Sequence, residues 1–306
     1  MFYILLLVFF NLFLYSKELI TPIPLENNYH KEKAILGKKL FFDVRLSYDN
    51  TISCSSCHIL NDGGDDNLPV SFGVSGKTGV RNSPTVLNSK YNIVQFWDGS
   101  ASSLKEQAKG PIHNPVEMNS SFEQIITKLN KDKNYKNSFS TIYEDGITGD
   151  NIVDAISEFE KTLTTPNSRF DKYLRGDTNI LTEDEKNGYQ LFKDYGCISC
   201  HNGVNIGGNL LQKIGIMRNY KTKDLGRFTI TKNEKDKFYF KVPTLRNIEL
   251  TAPYLHNGEV KTLEDVVKIM IDYQIGYELD DKELQNIIKF LKTLTGDNPK
   301  EIEINQ

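Results

Sequence analysis

Two stretches of the chain share one chemically loaded pattern, Cys54-Ser55-Ser56-Cys57-His58 and Cys197-Ile198-Ser199-Cys200-His201. A pair of thiols three positions apart, followed at once by an imidazole, is the attachment pattern for a c-type haem. The sulfurs form thioethers with the vinyl groups, and the adjacent histidine is placed to ligate the iron from one face. All 4 cysteines of the chain are used by the two motifs. Three other uses of such pairs compete. A thioredoxin-like site expects a βαβ setting, which neither flank supplies. One shared zinc site would join widely separated pairs and leave both histidines surplus. A disulfide inside each pair strains the bridge geometry. Two covalently bound c-type haems are therefore the expected cofactors.

The elements that position these motifs read as mainly helical. At 306 residues the chain is long enough for two ordinary domains, each with its own core. The formal net charge of -3 and the 25% charged content argue against a nucleic-acid surface or a polybasic membrane patch. Phe2 to Tyr15 is apolar apart from Asn11 and is too short for a membrane span. Residues 1–16 are thus expected to be a secretory signal peptide, with an uncleaved membrane anchor as the alternative. Lys31 to Phe42 reads as a helix, and Asn61 to Pro84 as a long glycine-rich loop of functional type. Ser103 to Lys109 and Phe122 to Leu129 read as helices, with Gly110, Pro111 and Pro115 forcing turns between them.

From Asn151 the residues Ile152, Ala155, Ile156, Phe159 and Leu163 fall on one helical face. Thr165-Pro166-Asn167 ends that helix and marks the expected boundary between domains 17–165 and 166–306. Thr182 to Glu185 starts a helix with a capping-box pattern. That helix runs to Gly196, just before the second motif, which is the order of a cytochrome c domain. Phe228 to Val242 suggests a short hairpin, and Thr262 and Asp280 cap two final helices. The expected fold is mainly α, with two cytochrome c-like haem domains, long loops and at most a short β-hairpin.

Further blocks carry a resemblance. Arg81-Asn82-Ser83-Pro84-Thr85, Gln95-Phe96-Trp97-Asp98-Gly99, Gln107 and Pro111 to Met118 resemble the N-terminal half of bacterial di-haem cytochrome c peroxidases. Lys241 to Asn247 and Ala252 to Gly258 resemble their C-terminal half. The likeness runs from about Lys31 to about Gly296 and extends to the methylamine-utilisation di-haem enzyme, which oxidises a protein. It implies a periplasmic enzyme that reduces hydrogen peroxide with electrons from a small cytochrome c. The electrons enter at the C-terminal haem and pass to the N-terminal one. It implies proximal His58, Glu117 as distal acid/base and Gln107 as a distal hydrogen-bonding group. Trp97 would relay electrons, and Met270 would ligate the second iron opposite His201, with Met217 and His256 as competitors. Asn82 and the carbonyls of Thr251 and Pro253 would hold a calcium ion. A homodimer is a further family expectation.

Each of these residues also has a plainer reading: a solvated carboxylate for Glu117, a core aromatic for Trp97, a core side chain for Met270 and a turn residue for Asn82. One departure stands out. Many di-haem peroxidases carry a histidine in the glycine-rich loop, which caps the resting N-terminal haem; Val74 occupies that place here. Valine has no ligating atom, so this haem is expected to rest without that cap. The protein-oxidising relative also lacks the histidine, but it has tyrosine at the place of Met270. The function classes left are a cytochrome-fed peroxidase, a protein-oxidising di-haem enzyme and a non-enzymatic di-haem electron carrier.

Overall fold

Helix α1 (Lys31–Phe41) buries Leu36, Leu40 and Phe41, and its Gly37 lets another backbone approach. The structure, a computed structural model, describes residues 18–299; the expected signal segment lies outside them. After the first Cys-x-x-Cys-His motif come α2 (Leu104–His113), α3 (Phe122–Leu129), α4 (Lys133–Ile142) and α5 (Gly149–Glu160). Thr148 caps α5, which buries Ile152, Ala155, Ile156 and Phe159, the face its spacing predicts. Leu163 is also buried but lies beyond the helix end. A Cβ on Gly37 would come within 1.9 Å of the Ala155 carbonyl oxygen. The α1–α5 crossing is therefore closed to any larger residue. Phe41 and Phe159 meet edge to face there at 5.2 Å.

The second half repeats this crossing. It contains α6 (Arg169–Leu174), α7 (Glu183–Asp194), β1 (Leu211–Lys213), a short α8 (Phe228–Thr231), β2 (Tyr239–Lys241), α9 (Leu263–Met270) and α10 (Asp281–Lys292). Thr182 and Glu185 form the predicted reciprocal cap of α7. Gly188 of α7 meets α10 as Gly37 meets α5; its Cβ would lie 1.9 Å from the Asn286 carbonyl oxygen. Phe170, Tyr189, Phe192 and Phe290 fill this second core.

Three expectations need correction. Helix α2 does not stop before Gly110 but continues through Pro111 to His113. Proline removes only its own N–H, and the Gly110 and Pro111 carbonyls are taken up by the amides of Asn114 and Met118 at 2.9 and 3.1 Å. The 228–242 segment forms no hairpin within itself. β2 pairs antiparallel with β1, Gln212 opposite Phe240, while Phe228 opens a helical turn. Finally, the strap formed by residues 18–25, grouped in sequence with the first domain, packs on the second. Ile20 belongs to the second core and bridges Gly203. Buried Arg246 pairs with Asp171 at 2.6 Å, donates to the Thr21 carbonyl at 3.1 Å, and Asp171 accepts from the Ile23 amide at 3.2 Å.

The glycine-rich loop and the segment after it join the halves. Arg81 grips the Asp224 carboxylate through Nε and Nη2 at 2.7 and 2.9 Å, and also binds Asp98. The Asn82 amide donates to the His256 carbonyl at 2.9 Å, and the Lys241 amide to the Trp97 carbonyl at 2.7 Å. No helix among the described residues is long and apolar enough to cross a membrane.

Candidate active site

Both motifs fold alike. Cys54–Ser56 and Cys197–Ser199 are single tight turns, each closed by the histidine amide donating to the first cysteine carbonyl, at 3.1 and 3.0 Å. His58 Nδ1 lies 3.1 Å from the Gly64 carbonyl oxygen, and His201 Nδ1 lies 3.4 Å from that of Ile206. A carbonyl only accepts, so Nδ1 carries the proton and Nε2 keeps its lone pair for a metal. Burial lowers both imidazole pKa values, that of His201 to about 4, so both rings stay neutral. The cysteines form no disulfide. Among the described residues no cluster of three or more Cys, His, Asp or Glu could hold a shared zinc ion.

A cavity of about 530 Å³ opens beside the second motif. Its lining joins Cys197, Cys200 and His201 to Met270, Leu291 and Trp97. An apolar hollow of this kind with thiols and a neutral imidazole in its wall fits a covalently tethered haem. Met270, at the end of α9, lines the same hollow. Met217 does not: it is 60% exposed and lies against Gly276. His256 lines the hollow, but its Nε2 lies 3.1 Å from the Thr222 hydroxyl and its ring stacks on Phe240 at 4.2 Å.

The first motif faces different company. Burial raises the Cys57 thiol pKa, and the charges of Asp66 and Glu117 add to the rise. Asn114 Nδ2 donates to Glu117 Oε1 at 2.6 Å, while burial raises the carboxyl pKa. The Val74 amide donates to the Glu117 carbonyl at 2.8 Å, and the Val74 side chain is buried. Gly73 rests on the same segment; a Cβ there would come within 2.1 Å of the Val116 carbonyl oxygen. Gln107 projects from α2, half-buried. His113 is occupied by the Ser120 carbonyl at 3.2 Å and by the Phe122 ring, and Met118 is in the first core.

Trp97 donates through Nε1 to the Asn82 carbonyl at 2.9 Å and meets the His256 ring edge-on at 6.4 Å. Asn82, Thr251, Pro253 and Asp65 all line the large cavity. Asn82 spends its Nδ2 on the Leu68 carbonyl at 2.9 Å. Asp65 Oδ1 is buried without a partner.

A sequence profile for di-haem cytochrome c peroxidases matches residues 31–179, and one for cytochrome c matches residues 185–295. The cytochrome c551 peroxidase of Nitrosomonas europaea is 49% identical over 93% of this chain and 86% of its own length. That of Pseudomonas aeruginosa is 43% identical over 87% of this chain and 79% of its own. The chain belongs to the di-haem cytochrome c peroxidase family. Membership makes it a haem oxidoreductase of the peroxidase class with two c-type haems. The cytochrome c peroxidase Ccp of Escherichia coli is 49% identical, and this chain spans 62% of that protein's length. The family extends to the methylamine utilization protein MauG of Methylophilus methylotrophus, 31% identical over 90% of this chain and 86% of its own. A MauG-like protein associated with microbial copper homeostasis superposes with a TM-score of 0.82 at 29% identity, over 96% of this chain and 97% of that one.

Three polar residues escaped the sequence. Lys241 and Asp65 line the large cavity, and Glu160 is buried; the Cys54 thiol pKa is raised by burial and, after it, by the charge of Glu160. Only Lys241 left a signal, as a charge inside the apolar run Phe238 to Val242.

Proposed function

We propose that the chain reduces hydrogen peroxide to water, H2O2 + 2 e⁻ + 2 H⁺ → 2 H2O, in the periplasm, with electrons from a small cytochrome c. Cys54, Cys57 and His58 hold one haem, and Cys197, Cys200, His201 and Met270 hold the other. When bound, these groups supply one-electron iron redox chemistry. The observation that carries the assignment is the difference between the two sites. Met270 lines the hollow at His201, whereas Glu117, whose charge reaches Cys57, is tied through its carbonyl to the amide of Val74. Methionine opposite histidine raises an iron potential, which suits the site that receives electrons.

Glu117 takes a proton from one peroxide oxygen and returns it to the other. Burial raises its pKa, which helps the carboxyl hold a proton, and Asn114 fixes one of its oxygens. Gln107 orients peroxide beside it. Trp97 carries electrons between the domains, 17–165 and 166–306, since its backbone touches Lys241 and its indole touches Asn82. Asn82, Thr251 and Pro253 take calcium; an Asp65 oxygen without a partner among the described residues, in the lining of the same cavity, supports a hard cation there.

Steady-state peroxide turnover with reduced cytochrome c tests the reading. Glu117→Gln should lose roughly 10²–10⁴-fold in rate while keeping both haem spectra. Unchanged turnover would sink it, and an electron carrier would show no turnover in either protein. Val74, in place of a capping histidine, favours a second reading, oxidation of a protein substrate. Slow turnover with cytochrome but fast peroxide-dependent oxidation of a protein would select that one.

A further inference from the structure

Lys241 is a lysine in the wrong place for a solvated charge. It sits on β2 with 4% of its surface exposed. No hydrogen bond or ion pair to its ammonium is formed among the described residues, whereas buried Arg246 is held by Asp171 and half-buried Arg81 by Asp98 and Asp224. Burying an unpaired ammonium costs several kcal/mol, roughly, in real proteins. Burial alone lowers its pKa, to about 8. The residue lines the large cavity, whose lining contains one carboxylate, Asp65, with which Lys241 forms no ion pair.

The missing counter-charge must come from what fills the cavity. A haem bound through its vinyl groups to Cys197 and Cys200 carries its two carboxylates on the far edge of the macrocycle. The cavity lining reaches from those cysteines to Trp97 and Lys241. We infer that the Lys241 ammonium pairs with a carboxylate of this haem and thereby sets its reduction potential. The inference rests on the reading of this cavity as the electron-receiving haem site. Ferric haem carries one positive charge more than ferrous, so a nearby cation favours the reduced form. The same residue donates its amide to the Trp97 carbonyl, so its strand touches the proposed relay.

Optical redox titration of the holoprotein tests this. In Lys241→Met the midpoint of the methionine-ligated haem should fall by at least about 59 mV, a tenfold weaker reduction for one electron. Lys241→Arg should keep it near the wild-type value. Resonance Raman spectra should show the haem-carboxylate bending band moved in the methionine variant only. Loss of the second haem from Lys241→Met with retention in Lys241→Arg would also support the pair, because the arginine variant keeps the cation and the methionine variant does not. An unchanged midpoint with full haem content, or equal loss of haem from both variants, overturns it. Failure of the underlying reading looks different: Met270→His would then leave the midpoint of this haem unchanged.

Discussion

The amide of Val74 donates to the carbonyl of Glu117 at 2.8 Å, which ties the tip of the glycine-rich loop to the backbone of the proposed acid/base. The tie is reinforced on both sides. Phe72 and Thr78 bridge the loop's neck, and Gly73 lies flat on Val116 and Glu117. Loop and acid are therefore one unit, and the loop's inward side chain has no ligating atom.

Val74→His should restore a ligating group at this spot. The wild-type ferric protein is expected to show a high-spin EPR signal and to turn over without prior reduction. The variant should become low-spin at both haems and lag until half-reduced. Two low-spin signals from the wild type would defeat the idea.

Met270→His should lower the potential of the second haem, because a thioether opposite histidine raises it relative to two imidazoles. Redox titration reads this directly. If the potential stays put while the haem remains low-spin, another residue is the ligand, and Met270 is only cavity wall.

Glu160 predicts a pH dependence of stability. Burial pushes its carboxyl from the ordinary 4.5 up to about 8. The folded state then holds a proton that the unfolded state has released, so its stabilising share is complete below about 4.5 and lost as pH rises through about 8. Glu160→Gln stays neutral throughout. Its advantage over wild type should grow across that window to roughly a few kcal/mol. Urea midpoints at either end of the window measure it; a constant difference would mean that the carboxyl does not titrate there.

Gly37→Ala and Gly188→Ala each force a methyl into a carbonyl 1.9 Å away. Each should cost about 1–3 kcal/mol, the first loosening the α1–α5 crossing and the second the α7–α10 crossing. Hydrogen exchange resolved by segment should show the loss confined to one half per variant. Loss spread evenly over both would show that the two cores unfold as one.

Local signals made part of this molecule readable. Thr182 and Asp280 announce their helices because a cap is settled by neighbours three residues apart. The haem motifs are equally local. What stayed hidden depends on contacts across the chain. Pro111 looks like a stop until Met118 is seen to take its carbonyl. β2 seeks its partner at Gln212, far from the nearby apolar run around Phe228. Helix α4 buries little besides Tyr135 and Phe139, too thin a stripe to show a period. Glu160 looks like an ordinary surface charge until packing encloses it.

The strap has a consequence for biosynthesis. Residues 18–25 leave the ribosome before the rest of the described chain, yet Ile20 finds its neighbours Phe170, Tyr189 and Leu291 only after most of the polypeptide has been made. The Thr21 carbonyl likewise waits for Arg246. The first core, drawn from Ala34 to Leu163, can close in the meantime. In order of synthesis the first haem unit is thus a guest inserted into the second. The last core to form holds both ends of the described chain together.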